Sequence, residues 1–166
     1  MHITIAKAKP ADAAAVLDFL KQVGGETDNL SFGAQGLPIG VEAEASFLEA
    51  LERSRDDVML VAKADGRIIA NGSVNRLPRR MSHRAEISIA VARGYWNLGI
   101  GGQLIGALLD FARQSGVSIL DLQVRSDNLA AIHLYEKFGF VKLFTDPAFF
   151  CVGGENVAFD YMRLCL

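Results

Sequence analysis

The sequence predicts a single domain of the α+β class, with a mixed, mostly antiparallel central sheet flanked by about four helices. Three observations lead to this prediction. Strand-like and helix-like hydrophobic periods alternate along the chain, the dipeptide Asp65-Gly66 joins two strand-like runs, and the 166 residues contain no internal repeat or linker. A chain of this length buries a sizeable core and leaves little room for a second domain, so residues 1–166 are expected to fold as one.

The first half of the chain is predicted to contain two helices and an antiparallel meander. Pro10 stops the first alternating run, and Gly24-Gly25 is expected to end the helix that follows. A glycine-rich loop then spans residues 25–40, a length that suggests a function. The predicted elements are strands at residues 3–9, 58–62, 67–77 and 85–91 and helices at residues 11–23 and 42–54.

The second half is predicted to alternate helix and strand. Apolar residues recur with helical spacing before Gly116, and Asn128 caps a helix that Gly139 ends. A loop containing Pro147 and Gly153-Gly154 is expected between the last two strands. The predicted elements are helices at residues 99–114 and 128–138 and strands at residues 119–124, 140–144 and 157–164.

Composition and charge exclude several classes of partner. The chain is 51% hydrophobic and 22% charged, its formal net charge is −2, and it has no basic run, so we expect no nucleic-acid partner. The longest uncharged run, residues 94–109, is too short and too polar to span a bilayer, so we expect no membrane partner. The amino terminus lacks the residue order of a signal peptide, which indicates a cytoplasmic protein.

The cysteines and histidines do not indicate a metal site. Cys151 and Cys165 lie in apolar surroundings without ligand spacing, so we interpret them as buried free thiols. His2, His83 and His133 are scattered and have no Cys or carboxylate at ligand spacing. No metal is therefore expected.

Glycines in residues 94–102 follow a predicted strand and open a predicted helix, a layout in which main-chain amides hold phosphate oxygens. The dinucleotide fingerprint does not fit, because Leu104 stands where its third glycine is required. The Walker loop does not fit either, because no Lys occurs between Asp65 and Lys137.

A third phosphate-binding pattern with this layout is that of the GNAT superfamily of acyl-CoA-dependent N-acyltransferases, which the sequence resembles. Its signature, Arg/Gln-x-x-Gly-x-Gly/Ala, starts five residues after a hydrophobic strand residue. Here Val91 precedes Trp96-Asn97-Leu98-Gly99-Ile100-Gly101, with Trp96 in place of Arg or Gln. A second family segment is a capped helix with the pattern Asn-x-x-Ala-x-x-Leu-Tyr-x-x-x-Gly-Phe. It is reproduced by Asn128, Ala131, Leu134, Tyr135, Gly139 and Phe140.

This resemblance implies acetyl-CoA as co-substrate and a GNAT-like sheet in which residues 85–91 and 119–124 splay apart. The pantetheine arm would lie between these strands, and main-chain amides of residues 97–102 would take the diphosphate. The implied cofactor-binding residues are Ile89, Ala90, Val91, Trp96, Asn97, Leu98, Gly99, Ile100, Gly101, Gly102, Asn128 and Ala131.

Two residues are candidates for proton transfer. Glu86 opens the strand that would line the thioester and would accept the proton of the amine, with a solvated strand-end charge as the alternative interpretation. Tyr135 would protonate the departing thiolate, as the tyrosine of this motif is thought to do in the family, with core packing as the alternative. Asn128 caps its helix, contacts the pantetheine amide, or does both.

The acceptor side is less constrained by the sequence. The loop over residues 25–40 contains Glu26 and Asp28 but no basic residue, which favours a cationic amine. Phe149, Phe150 and Cys151 form the opposite wall or a homodimer contact. We predict an enzyme that moves the acetyl group to a primary amine of a small molecule by direct attack in a ternary complex. A protein or peptide N-acetyltransferase and a non-catalytic acyl-CoA sensor are the alternatives.

Overall fold

A computed structural model describes residues 1–166 and contains seven strands and four helices. The strands are β1 (Ile3–Lys7), β2 (Val58–Ala64), β3 (Arg67–Arg76), β4 (Arg84–Val91), β5 (Ile119–Arg125), β6 (Val141–Val152) and β7 (Glu155–Cys165). The helices are α1 (Ala13–Glu26), α2 (Val41–Arg53), α3 (Ile100–Gln114) and α4 (Leu129–Lys137). No helix is long and apolar enough to cross a membrane.

The strands form one sheet in the order β1-β2-β3-β4-β5-β7-β6. Every neighbouring pair is antiparallel except β4 and β5, which are parallel and are connected through α3. The predicted fold class, a mostly antiparallel mixed sheet with four helices, is confirmed.

The two faces of the sheet carry separate cores. On β2, Val58 and Leu60 pack in the larger cluster with α3 and Tyr135, whereas Val61 packs in the smaller cluster with α1 and α2. This division follows from the alternation of side chains along a strand. The helices α1 and α2 cover one end of their face and leave Glu86 and Ser88 of β4 exposed on it.

The meander was predicted correctly, but the end of α1 was not. Asp65 and Gly66 both have positive φ, 49° and 84°, as the predicted hairpin turn requires. The helix α1 continues through Gly24-Gly25 to Glu26. A Cβ on Gly24 would lie 2.1 Å from the carbonyl oxygen of Gly33, so this glycine allows the following loop to pass against the helix.

The final hairpin is longer than predicted. Pro147 and the residues after it belong to β6, whose register against β7 is irregular between Asp146 and Phe150, and the turn lies at Gly153-Gly154. Cys151 and Cys165 are both exposed, so the prediction of buried thiols was wrong. The reason for Cys151 is that β6 is an edge strand, and an apolar sequence context does not guarantee burial there.

Candidate active site

The only parallel pair of the sheet opens into a gap. Strands β4 and β5 are paired through Arg84 with Ile119, Ala85 with Leu120, and Glu86 with Asp121, and the pairing stops there. Beyond this point residues 87–91 and 122–125 diverge, as the resemblance predicted. The main-chain groups that β4 turns toward the gap therefore lack a strand partner and can pair with an extended molecule.

The amino terminus of α3 offers a row of free amides close to the end of β4. Gly99 has φ 77° and Asn97 has φ 61°, and the first helical hydrogen bond runs from the Gln103 amide to the Gly99 carbonyl oxygen, 3.1 Å away. Amides of residues 97–102 make no turn, loop or cap hydrogen bond. These donors and the helix dipole suit an anion, so the residues present fit the diphosphate of CoA.

The two sequence motifs meet around Gly101. A Cβ on this residue would lie 3.1 Å from Leu134 Cδ2 of α4 and 3.8–3.9 Å from the side chains of Ile89 and Val91. A larger residue would therefore push α3 away from α4 and β4. The absent side chain keeps the free amides close to the gap.

Most of the predicted cofactor-binding residues lie at this junction. Trp96, Asn97, Leu98 and Gly99 are exposed, and Ile89, Ala90, Val91, Gly101, Gly102, Asn128 and Ala131 are half-buried. The side chain of Ile100 is buried in the core, so only its main chain faces outward. Asn128 accepts a hydrogen bond from the Ala131 amide (3.3 Å), which is the predicted helix cap.

Trp96 stabilises the loop that carries the free amides of residues 97–102. Its indole N–H donates to the Val91 carbonyl oxygen (2.7 Å), and the Arg93 guanidinium lies 5.5 Å from its ring centroid. The Glu26 carboxylate accepts from the Arg93 amide (2.7 Å), and the Glu26 carbonyl oxygen accepts from the Arg93 guanidinium. Sequence reasoning missed this contact, because Glu26 and Arg93 are distant in the chain.

Tyr135 lies on the α3–α4 face of the sheet. Its side chain is buried, and its ring meets Phe140 edge-on at 5.8 Å. Burial raises the pKa of Tyr135 far above its usual value, and the hydroxyl makes no hydrogen bond within the chain. The phenol therefore stays protonated at neutral pH and has a free donor.

Glu86 lies on the opposite face, so the structure places the two predicted catalytic side chains on either side of the sheet. The Glu86 side chain is exposed and forms no ion pair. It lines a cavity of about 230 Å³ between β4, β5 and the last hairpin, together with Arg84, Asp121 and Arg163.

Asp121 links the two arginines of this cavity. Its carboxylate accepts from Arg163 Nε (2.6 Å) and from the Arg84 guanidinium. Burial by itself would raise the pKa of Asp121, but the hydrogen bonds from Arg163 and Arg84 outweigh it and hold the pKa below its usual value. No local sequence pattern points to this cluster, although charged residues alternate along β4 at Arg84 and Glu86.

Comparison with known proteins identifies the class. The profile described as "Acetyltransferase (GNAT) family" matches residues 29–140. The chain belongs to the GNAT acetyltransferase family of acyl-CoA-dependent N-acetyltransferases, which use acetyl-CoA, as the resemblance predicted.

Individual relatives agree with this assignment. The chain is 34% identical over 96 residues to the N-alpha-acetyltransferase RimI of Mycobacterium tuberculosis, covering 57% of this chain and 59% of that protein. The matched segments cover less than two thirds of the length of the curated relatives. A GNAT-family acetyltransferase structure from Streptococcus pneumoniae superimposes with a TM-score of 0.95 at 29% identity, covering 99% of this chain and 100% of that one. The fold also matches yncA from Salmonella typhimurium, solved with acetyl-CoA (TM-score 0.85, 22% identity, 98% and 93% coverage).

Proposed function

We propose that this protein transfers the acetyl group of acetyl-CoA to the primary amine of a small molecule, by direct attack in a ternary complex. The observation that carries the proposal is the gap between β4 and β5. It has free amides and a protonated tyrosine on one face and an unpaired carboxylate beside a cavity on the other. A donor and an acceptor can therefore reach the same point from opposite sides.

The α3–α4 face of the gap binds and orients acetyl-CoA, the acetyl donor. Acetyl-CoA supplies an acetyl thioester when bound. Main-chain groups of Ile89 and Val91 pair with the arm, whereas those of Ala90 face β3 in the ladder with Asn71. The carbonyl oxygen of Val91 is already shared with Trp96. Amides of residues 97–102 hold the diphosphate, next to Asn128 and Ala131. These donors are fixed before binding, so they stabilise charge with little reorganisation.

The acceptor side removes a proton. A primary amine such as that of lysine has a pKa near about 10.4 and is mostly protonated at neutral pH, so it must lose a proton before it attacks. Glu86, directly or through a water, accepts this proton. The amine nitrogen then forms the C–N bond to the acetyl carbon, the C–S bond breaks, and the Tyr135 hydroxyl gives its proton to the departing sulfur. The second proton that the nitrogen loses returns through solvent to Tyr135, so the products are the amide and the free thiol of CoA.

The test is release of CoA from acetyl-CoA with a panel of small amines, with acetyl-CoA binding measured in parallel. We expect acceptor-dependent release of CoA and an N-acetylated product. A protein that binds acetyl-CoA but transfers to no acceptor would instead be an acyl-CoA sensor, and the proposal would be wrong.

A second candidate acceptor is the amino terminus of a protein, because the relative named above is an N-alpha-acetyltransferase. Peptides with different first residues should be assayed beside the small amines. A kcat/KM for peptides above that for every small amine would favour this second function.

A further inference from the structure

We infer that the acceptor is a free α-amino acid with an apolar side chain, held by Glu86 at its amine and by Arg84 and Arg163 at its carboxylate. This inference rests on the proposed function, because it takes the cavity beside Glu86 as the acceptor site. It adds a substrate class and two specificity residues.

The charged groups of the cavity lie side by side on one face of the sheet. Arg84 and Glu86 are two positions apart on β4, so their side chains share a face about 7 Å apart along the strand. Asp121 is in register with Glu86 on one side and with Arg163 on the other. Three neighbouring strands thus present two guanidinium groups and two carboxylates to one small volume.

The charges do not cancel locally. Asp121 is shared by Arg84 and Arg163, which leaves this triad with one net positive charge. Glu86 forms no ion pair and supplies one net negative charge. In addition, the buried Arg84 Nε has no hydrogen-bond partner, and an unsatisfied buried donor is costly unless a ligand or water meets it. A small zwitterion complements this pattern, because it brings one ammonium group and one carboxylate.

The rest of the cavity suits an apolar side chain. Its other walls are the apolar residues Leu77, Leu143, Phe144 and Tyr161, the polar residue Gln123, and Met162, whose side chain belongs to the larger core on the opposite face. Phe144 stacks on Tyr161 with centroids 4.3 Å apart, and Phe149 meets Tyr161 edge-on at 5.8 Å. The volume of about 230 Å³ is below the usual range for drug-sized ligands, about 300–1,000 Å³, so it suits a single amino acid. The amino terminus of a peptide would place a neutral amide where the arginines require an anion.

The first test compares matched acceptors. Leucine, leucinamide and isoamylamine share an apolar body and an amine but differ in the carboxylate, and phenylalanine, phenylalaninamide and phenethylamine form a second set. We expect kcat/KM for each amino acid to exceed that for its amide by at least about 30-fold, because the neutral amide leaves the half-buried guanidinium groups of Arg84 and Arg163 without an anion. Rates should be measured between about pH 7 and pH 10, so that differences in amine ionisation are separated from recognition.

The outcomes are distinct. Equal kcat/KM for amino acid, amide and amine would overturn the inference and leave the proposed function intact. Transfer to none of the six compounds, nor to any other amine, would overturn the proposed function itself.

The second test is Arg84→Gln. This change removes the net positive charge and leaves Asp121 paired with Arg163, so the fold should survive, which a thermal melt will check. We expect the ratio of kcat/KM for leucine to that for leucinamide to fall at least tenfold, mainly through KM for leucine. Arg113→Gln, on the exposed surface of α3, is the matched control and should leave this ratio unchanged. Loss of activity by the same factor for both acceptors would indicate a structural role for Arg84 and contradict the inference.

Discussion

The two faces of the gap between β4 and β5 are built by different means. The α3–α4 face relies on main-chain amides, on glycines and on apolar contacts such as that between Gly101 and Leu134. The other face relies on the side chains of Arg84, Glu86, Asp121 and Arg163, which come from three strands. The face proposed to bind the acetyl donor therefore depends on backbone conformation, whereas the face proposed to bind the acceptor depends on the identity of side chains.

The largest expected effect is that of Tyr135→Phe on the donor face. We expect kcat to fall by about 10²- to 10⁴-fold, the usual contribution of a positioned proton donor. The hydroxyl makes no hydrogen bond within the chain, so acetyl-CoA affinity and the melting temperature should stay close to the parent values. Steady-state kinetics and calorimetric binding of acetyl-CoA provide the measurements, and an unchanged kcat would remove Tyr135 from the mechanism.

Glu86→Gln tests the acceptor face. We expect a loss of about 10²-fold in kcat/KM near pH 7, because the amine loses its proton acceptor. The loss should shrink as pH approaches the pKa of the acceptor amine, where free amine forms without help. A pH–rate profile of both proteins is the measurement, with Glu52→Gln on the surface of α2 as control. A loss that is independent of pH would exclude Glu86 as the base.

Asp121→Asn should reduce the free energy of unfolding by about 1.5–3 kcal/mol, the range for hydrogen bonds to charged groups. The lowered pKa of Asp121 means that its contribution is complete above the unfolded pKa of about 3.9 and is lost as pH falls through the lower folded value. Urea unfolding at pH 7 and below pH 4 should thus show a smaller difference between parent and variant at low pH.

Asp110→Asn is the matched control for this experiment, because Asp110 pairs with Arg113 on the exposed surface of α3. It should change the free energy of unfolding by less than about 0.5 kcal/mol. A similar effect in the two variants would show that the pairing of buried Asp121 with Arg84 and Arg163 stabilises the protein no more than an exposed ion pair does.

The smallest expected effect separates two glycines of the same segment. Gly99→Ala places a Cβ at φ 77° and should destabilise the protein by about 1 kcal/mol and weaken acetyl-CoA binding several-fold. Gly106→Ala, inside α3 with open space around it, should stabilise by about 0.5–1 kcal/mol and leave binding unchanged. Thermal melts and calorimetric titration measure both, and the same sign in both variants would contradict a special backbone role for Gly99.

Local patterns predicted the elements whose boundaries depend on local conformation. Asp65-Gly66 formed the expected turn, and Asn128 formed the expected cap. The prediction was wrong where the structure depends on residues or strands that are not neighbours in the sequence. Gly24 looked like a helix end but lies inside α1, because the loop at Gly33 needs the space that its missing side chain leaves. Cys151 looked buried, but β6 is at the edge of the sheet.

The order of residues along the chain was sufficient to predict the fold class and the two motif segments to which the proposed function assigns acetyl-CoA binding. Both motifs are continuous in the chain, and the conformations they require, a left-handed glycine at a helix start and a capped helix, are set by neighbouring residues. Only the tertiary structure brought Arg84, Asp121 and Arg163 together beside Glu86. Register between strands that are distant in sequence decides which side chains share a face, and no local pattern encodes that register.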